Sequence, residues 1–365
     1  MEIQTDRLTE IFLHLVQINA VSGQERPVAD YVEQFLADTI VSVVEDDAGD
    51  HEGGSAGNVI CTFKDGGEIV FLAHMDTARP TTNLNPGFFE DRIESDGTTI
   101  LGVDNRAGMA LLLYTLETAI QHPDQFPGFT VAFTIAEETT LAGSKHLHLN
   151  GNIQRGYAFD SSLRPGNFIH GSYGAKRFDI QVTGKAAHSG IAPENGVNAI
   201  QIASEAIALL PGGRVDVNTT MNIAKISGGS AINVVPEKVY VEGEVRGSTK
   251  SDVDKIIKLL EDTFVIKAEE LGGNSIFKSR WDFQPYEVPA DAPVYTKIIE
   301  ALQHVNLEQI PHITPGGSDA NSLNVKGISS LNVGIGAQNP HANNEFILLK
   351  DFENSARIIQ ALLKM

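Results

Sequence analysis

The chain has 365 residues, more than one ordinary core accommodates and enough for two domains. Hydrophobic residues at 42% and charged residues at 20% describe a soluble globular protein. Lys and Arg number 27 against 47 Asp and Glu, a net charge of −20 with no basic stripe, which argues against nucleic acid as a partner. Cys61, the single cysteine, lies in the apolar run NVICTF and reads as an inert buried thiol, so neither a disulfide framework nor a thiolate metal site is available. The opening MEIQTDRLTEIF is acidic and amphipathic, unlike a secretory leader. No run approaches the roughly 20 apolar residues of a membrane span. These features point to the cytoplasm and away from a membrane.

Leu8, Ile11, Phe12 and Leu15 follow the 3.6-residue period of a first helix. Ser22-Gly23-Gln24-Glu25 has the form of a capping box, opening a second helix through Pro27 with Val28, Tyr31, Val32 and Phe35 on one face. Strands then alternate with helices. Asn58–Lys64 and Glu68–His74, joined by Asp65-Gly66-Gly67, carry the signal of a hairpin. Asn105–Gln121 is a long apolar helix, Phe129–Ala136 a β-branched and aromatic strand, and Tyr157–Asp160 a short one. In this α/β layout ligands gather beyond the carboxyl ends of strands, where His74, Glu137, Glu138 and Asp160 all sit.

From about Ala175 the pattern changes. Arg177–Thr183 reads as strand, Asn195–Leu210 as helix, Thr219–Ser227 and Lys238–Arg246 as strands, Thr249–Leu271 as helix and Ser275–Phe283 as strand. That order, βαββαβ, is the ferredoxin-like module. The α/β pattern resumes with a helix at Ala292–His304, a loop at Gly316–Asp319, a strand at Ser329–Val333 and a closing helix at Asp351–Leu363. The predicted architecture is a catalytic α/β domain in two pieces, 1–174 and 284–365, with an inserted lid at 175–283.

Five residues read together as the ligands of two metal ions: His74, Asp104, Glu138, Asp160 and His341. His74 and Asp76 share one face of a strand, and a metal-bound imidazole wants a carboxylate on its other nitrogen. Among 11 histidines the pair is a weak signal by itself. Asp104 precedes a helix starting near Arg106, where it can bridge two cations roughly 3.5–4 Å apart or serve as an ordinary N-cap. Glu137 and Glu138 would repel each other at a strand end unless a cation takes one and a proton-transfer task the other; a solvated turn is the alternative. Two histidines and three carboxylates suit Zn²⁺, and Mn²⁺ and Co²⁺ accept the same ligands. Two such ions with three carboxylates leave one net positive charge, which polarises a carbonyl and brings the pKa of a water from roughly 16 towards about 7.

The strings AHMDT, GVDNRAG, IAEET, AFDSS, GKAAHSG and a late histidine occur in the order found in the dinuclear-zinc metallopeptidases that include peptidase T, carboxypeptidase G and the aminoacylases. The chain resembles that family over essentially its whole length, and its peptidase T branch most. The resemblance implies a zinc-exopeptidase-like catalytic domain with a mixed central sheet flanked by helices, and a lid that also serves for dimerisation. It implies His74, Asp104 and Asp160 around one metal and Asp104, Glu138 and His341 around the other. Glu137 would be the general base acting on a water between the metals, Asp76 would brace His74, and the Asp104–Asn105 peptide would be cis. Many relatives carry an aspartate where Asn105 stands, so this chain has one charge fewer there. In the lid, His188 matches a histidine that crosses a dimer interface to bind the scissile carbonyl, which implies a homodimer. Asn233 and Arg246 match lid positions that touch substrate, Arg246 its terminal carboxylate. Gly317 and Ser318 match a loop on the opposite side. Plainer readings are a strand-end histidine for His188 and a surface ion pair for Arg246, while His14, His146, His148 and His304 read as ordinary surface residues.

The expected function is a co-catalytic zinc exopeptidase releasing residues from short peptides, as an aminotripeptidase does. An N-acyl amino acid amidohydrolase would use the same metals and base. A non-catalytic metal-binding protein on this fold would be marked by loss of Glu137 or a ligand, and the chain keeps all of them.

Overall fold

The runs IVFLAH at Ile69–His74 and FTVAFT at Phe129–Thr134 carry no acid, lysine or arginine, and all of their residues except Ile69 are buried. Strands that are apolar on both faces belong in the middle of a sheet covered on both sides. The computed structural model, which describes residues 2–364, places them there. Ile69–His74 pairs in parallel with Phe129–Thr134 on one side and with Arg155–Ser161 on the other. Arg155–Ser161 in turn pairs in parallel with Ser329–Gly334. Antiparallel strands flank this parallel centre, Val59–Phe63 then Val41–Glu45 at one side and Asn167–Ser172 at the other. The result is the mixed central sheet with helices that the sequence implied.

The hairpin expected at Asp65-Gly66-Gly67 does not form. Val59–Phe63 and Ile69–His74 are not neighbours, because Phe129–Thr134 lies between them, antiparallel to the first and parallel to the second. A strand buried on both faces gains more in the centre than at an edge. The capping box is also corrected. The second helix spans Arg26–Phe35, and neither Ser22 nor Glu25 caps it with a side chain. Ser22 stands too far before the first turn, and both side chains bond elsewhere.

The chain divides into two units. The first comprises the residues up to Gly171, Glu287–Thr314 and those from Ser318 on; the second comprises Ser172–Tyr286 and Pro315–Gly317. In the first, helices Thr5–Val16, Val103–Gln121 and Leu349–Lys364 pack together, with Phe12 and Phe352 edge to face at 5.4 Å between centroids. The second has four long antiparallel strands in the order Thr219–Gly228, Lys238–Gly247, Gly174–Thr183, Asn274–Phe283. Helices Ala199–Ala208 and Lys250–Glu270 cover one face, burying Ile202, Leu260 and Phe264 against Phe178, Ile180 and Val241. This is the βαββαβ arrangement read from the two hydrophobic periods. Among the described residues no helix is long and apolar enough to cross a membrane.

Helix Val103–Gln121 approaches strand Arg155–Ser161 so closely at Gly108 that a Cβ there would overlap the Phe159 carbonyl oxygen and the Asn105 side chain. Gly108→Ala is therefore expected to destabilise the protein by about 1–3 kcal/mol despite its better helix propensity. A thermal melt of the variant showing an unchanged or raised midpoint would contradict this packing.

Candidate metal centre

Each predicted ligand comes from a different segment. His74 ends its strand, and its buried ring sets Nδ1 3.0 Å from the Asp76 carbonyl and 3.3 Å from Asp76 Oδ1. Those neighbours hold the proton on Nδ1 and leave Nε2 as the free lone pair. Nε2 points at Asp104 Oδ1 (3.0 Å) and Asp160 Oδ1 (3.2 Å). The other oxygen of Asp104 faces His341 Nε2 at 3.4 Å, and the same nitrogen is 3.0 Å from Glu138 Oε1. Two clusters result, His74–Asp104–Asp160 and Asp104–Glu138–His341; within each, the candidate ligand atoms all lie within 4.8 Å of one another.

Asp104 belongs to both clusters, one oxygen to each. The N-cap alternative falls to its neighbour: Asn105 Oδ1 accepts from Gly108 N at 3.0 Å, so Asn105 caps the helix that follows. Asn105 Nδ2 also donates to Asp160 Oδ1 at 2.9 Å, which a carboxylate at that position could not do. The Asp104–Asn105 peptide bond is cis, as the resemblance implied.

The electrostatics favour positive charge. Burial opposes protonation of His74, but the carboxylates of Asp104, Asp160 and Asp76 outweigh it and push its pKa well up. Asp104 and Glu138 beside it lift His341 to about 10. Burial together with the nearby Asp104 carries Asp160 up to about 7. Glu137 is raised well above the carboxylate range, again by burial first, with His74 opposing and Asp160, Asp319 and Glu138 adding to the rise. Asp104 goes the other way: His341 and His74 overcome its burial and hold it well below the usual range. Where protons are drawn this strongly to a buried cluster, divalent cations would meet the same demand. The approach of His341 to Glu138 is not a hydrogen bond in its geometry, and buried Glu138 Oε1 has no hydrogen-bond donor. An unpartnered buried oxygen facing an imidazole nitrogen fits a cation between them. The residues present thus suit a pair of divalent ions.

The predicted substrate-binding residues fall in both units. In the second unit, Arg246 pairs with Glu244 through Nε at 2.9 Å, donates to the Pro315 carbonyl at 3.2 Å and stands over the Phe283 ring, which also packs against Gly317. The ion-pair reading of Arg246 is therefore realised. His188 bridges Val234, and Ser189 N donates to the Asn233 carbonyl at 3.0 Å, so His188 and Asn233 lie on two adjoining exposed turns of that unit. In the first unit, Ser318 is the N-cap of helix Asp319–Val325. His146, near the Glu pair in sequence, stacks on His51.

Glu345 escaped the sequence reading although it lies four residues after His341. It is fully buried, and burial lifts its pKa to about 7 against the pull of three main-chain donors. These are His341 N at 2.7 Å, Gly102 N at 2.6 Å and Val103 N at 3.2 Å. One carboxylate thus ties the His341 loop, where His341 itself has φ 67°, to the residues that lead into Asp104. Glu345→Ala would leave all three donors without an acceptor. It is expected to weaken divalent-metal affinity about 10–100-fold in a chelator competition; unchanged affinity would mean that the loops hold themselves.

The family profile for the peptidase dimerisation domain matches residues 170–270. The chain is similar to the uncharacterised protein YqjE of Bacillus subtilis, 30% identical over 99% of each chain. It is also similar to two solved structures at 32% identity and a TM-score of 0.88. One is the aminopeptidase PepT of Bacillus cereus, covering 99% of this chain and 98% of that one. The other is a tripeptidase of Staphylococcus aureus, covering 100% and 99%. Fold and site thus describe a hydrolase that acts on peptide bonds. The chain belongs to the M20 peptidase family, alongside the PepT enzymes.

Proposed function

We propose that the protein is a two-metal exopeptidase that releases residues from short peptides, in the manner of an aminotripeptidase. The observation that carries this reading is the division of Asp104, one oxygen towards His74 and the other towards His341. His74, Asp104 and Asp160 would hold one ion and Asp104, Glu138 and His341 the other, zinc being the first choice and manganese or cobalt accepted by the same donors. When bound, such ions polarise the scissile carbonyl and make the attacking water acidic.

The chain's own groups divide the remaining work. Glu137 takes a proton from the attacking water and returns it to the leaving amine nitrogen. Asp76 keeps the His74 proton on Nδ1. By resemblance, His188 supplies a donor to the scissile carbonyl from a partner subunit, Asn233, Gly317 and Ser318 line the substrate, and Arg246 takes its terminal carboxylate, in exchange for Glu244. A homodimer through the second unit follows from that role for His188.

Glu137→Gln should retain two metal ions per chain by elemental analysis while turnover falls at least about 10²-fold, the scale of general-base catalysis. Turnover at the wild-type rate would remove Glu137 from the mechanism. Chelation should abolish activity and added Zn²⁺ restore it; a stripped protein that still cleaves peptides would refute the metal role. Free tripeptides should be cleaved faster than their N-acetylated forms. The reverse preference would make the enzyme an N-acyl amino acid amidohydrolase.

A further inference from the structure

Strand Phe129–Thr134 leads into the Glu137–Glu138 pair through a sharp turn. The turn is made at Ala136, which has φ 49° and ψ 39°, a left-handed conformation that an alanine adopts only against resistance. Such a residue lets successive main-chain N–H groups converge into a cradle for an anion. Here the chain fills the cradle itself. Ala136 N donates to Glu25 Oε1 at 3.1 Å, Glu137 N to Asp76 Oδ1 at 3.1 Å and Glu138 N to Asp76 Oδ2 at 3.2 Å.

Glu25 belongs to the SGQE stretch that does not cap its helix. It is fully buried, and the same Oε1 also accepts from Gly23 N at 2.8 Å, while Oε2 has no hydrogen-bond partner. Ser22, three residues earlier, donates its hydroxyl to Asp76 Oδ2 at 2.6 Å. Val21 bridges Thr77 in parallel, so the segment lies along the chain that leaves His74. Buried Arg106, whose guanidinium donates to the carbonyls of Met75 and Ile18, supplies the positive field that offsets Asp76 and Glu25. A buried carboxylate with one idle oxygen is costly unless its bonds fix something.

We propose that Glu25 is a positioning residue, which clamps the left-handed turn at Ala136 and thereby aims the Glu137 carboxylate, with Ser22 steadying the companion Asp76. The proposal rests on Glu137 acting as the base. Because one oxygen of Glu25 accepts both N–H groups, shape matters here and the second oxygen's charge does not. Glutamine preserves that shape; aspartate is a methylene too short to reach.

The test compares Glu25→Ala, Glu25→Gln and Glu25→Asp in the metal-loaded enzyme on a tripeptide. Glu25→Ala and Glu25→Asp should lower kcat about 10–100-fold with KM nearly unchanged and both ions still bound, whereas Glu25→Gln should stay within about threefold of wild type. Combined with Glu137→Gln, the alanine change should alter the residual rate less than about twofold, since the group it aims has been removed. Three results would overturn the proposal: wild-type kcat in Glu25→Ala, an active Glu25→Asp beside an inactive Glu25→Gln, or the full loss persisting in the double variant. If the alanine variant does not fold, the Gln and Asp pair decides alone. A fully active Glu137→Gln would instead refute the base, whatever the Glu25 variants do.

Discussion

Like charges gathered away from water repel, and the first unit is organised around that repulsion. Asp104, Glu138 and Asp160 converge on the buried imidazole of His74 and the half-exposed one of His341. Such an arrangement persists only if positive charge is held among the carboxylates. The rise of His74 and His341, set beside the rise of Asp160 and Glu137, is one expression of the demand. Splitting Asp104 between two clusters is the geometric answer to it. One carboxylate serves two centres, so fewer negative groups need be buried for each cation.

The segments that carry these side chains are irregular, and irregular backbone needs acceptors for its N–H groups. Buried carboxylates supply them twice. Glu345 gathers the donors of Gly102, Val103 and His341, while Glu25 and Asp76 take those of Ala136, Glu137 and Glu138. Main-chain donors are fixed in direction, so a carboxylate that accepts several of them fixes a whole loop. The left-handed residues Ala136 and His341 both lie within such braced stretches.

Much of this was legible in the sequence, for reasons that differ by region. The second unit packs one face of a sheet against two helices, so its residues alternate with periods of two and 3.6 and its elements stand out within a few positions. The central strands of the first unit were equally visible as apolar runs. Their neighbours were not: the partner that separates Val59–Phe63 from Ile69–His74 arrives some sixty residues later, and no turn signal encodes it. The cluster residues were recognisable because histidines and carboxylates stand in local contexts that resemble those of a known family. Glu25 and Glu345 hold backbone rather than side chains, which leaves no pattern in residue type. Ser22 and Glu25 even imitated a helix cap, since that motif and a loop brace call for the same hydroxyl and carboxylate.

The order of the chain bears on when the enzyme can first work. His74, Asp104, Glu138 and Asp160 all precede Ser172, where the second unit begins, while His341 follows it by well over a hundred residues. Strand Ser329–Gly334, which completes the parallel centre beside Arg155–Ser161, is equally late. During translation the emerging polypeptide therefore passes through a long interval with one cluster whole and the other lacking its imidazole. The second cluster closes only after the whole of the second unit has been made.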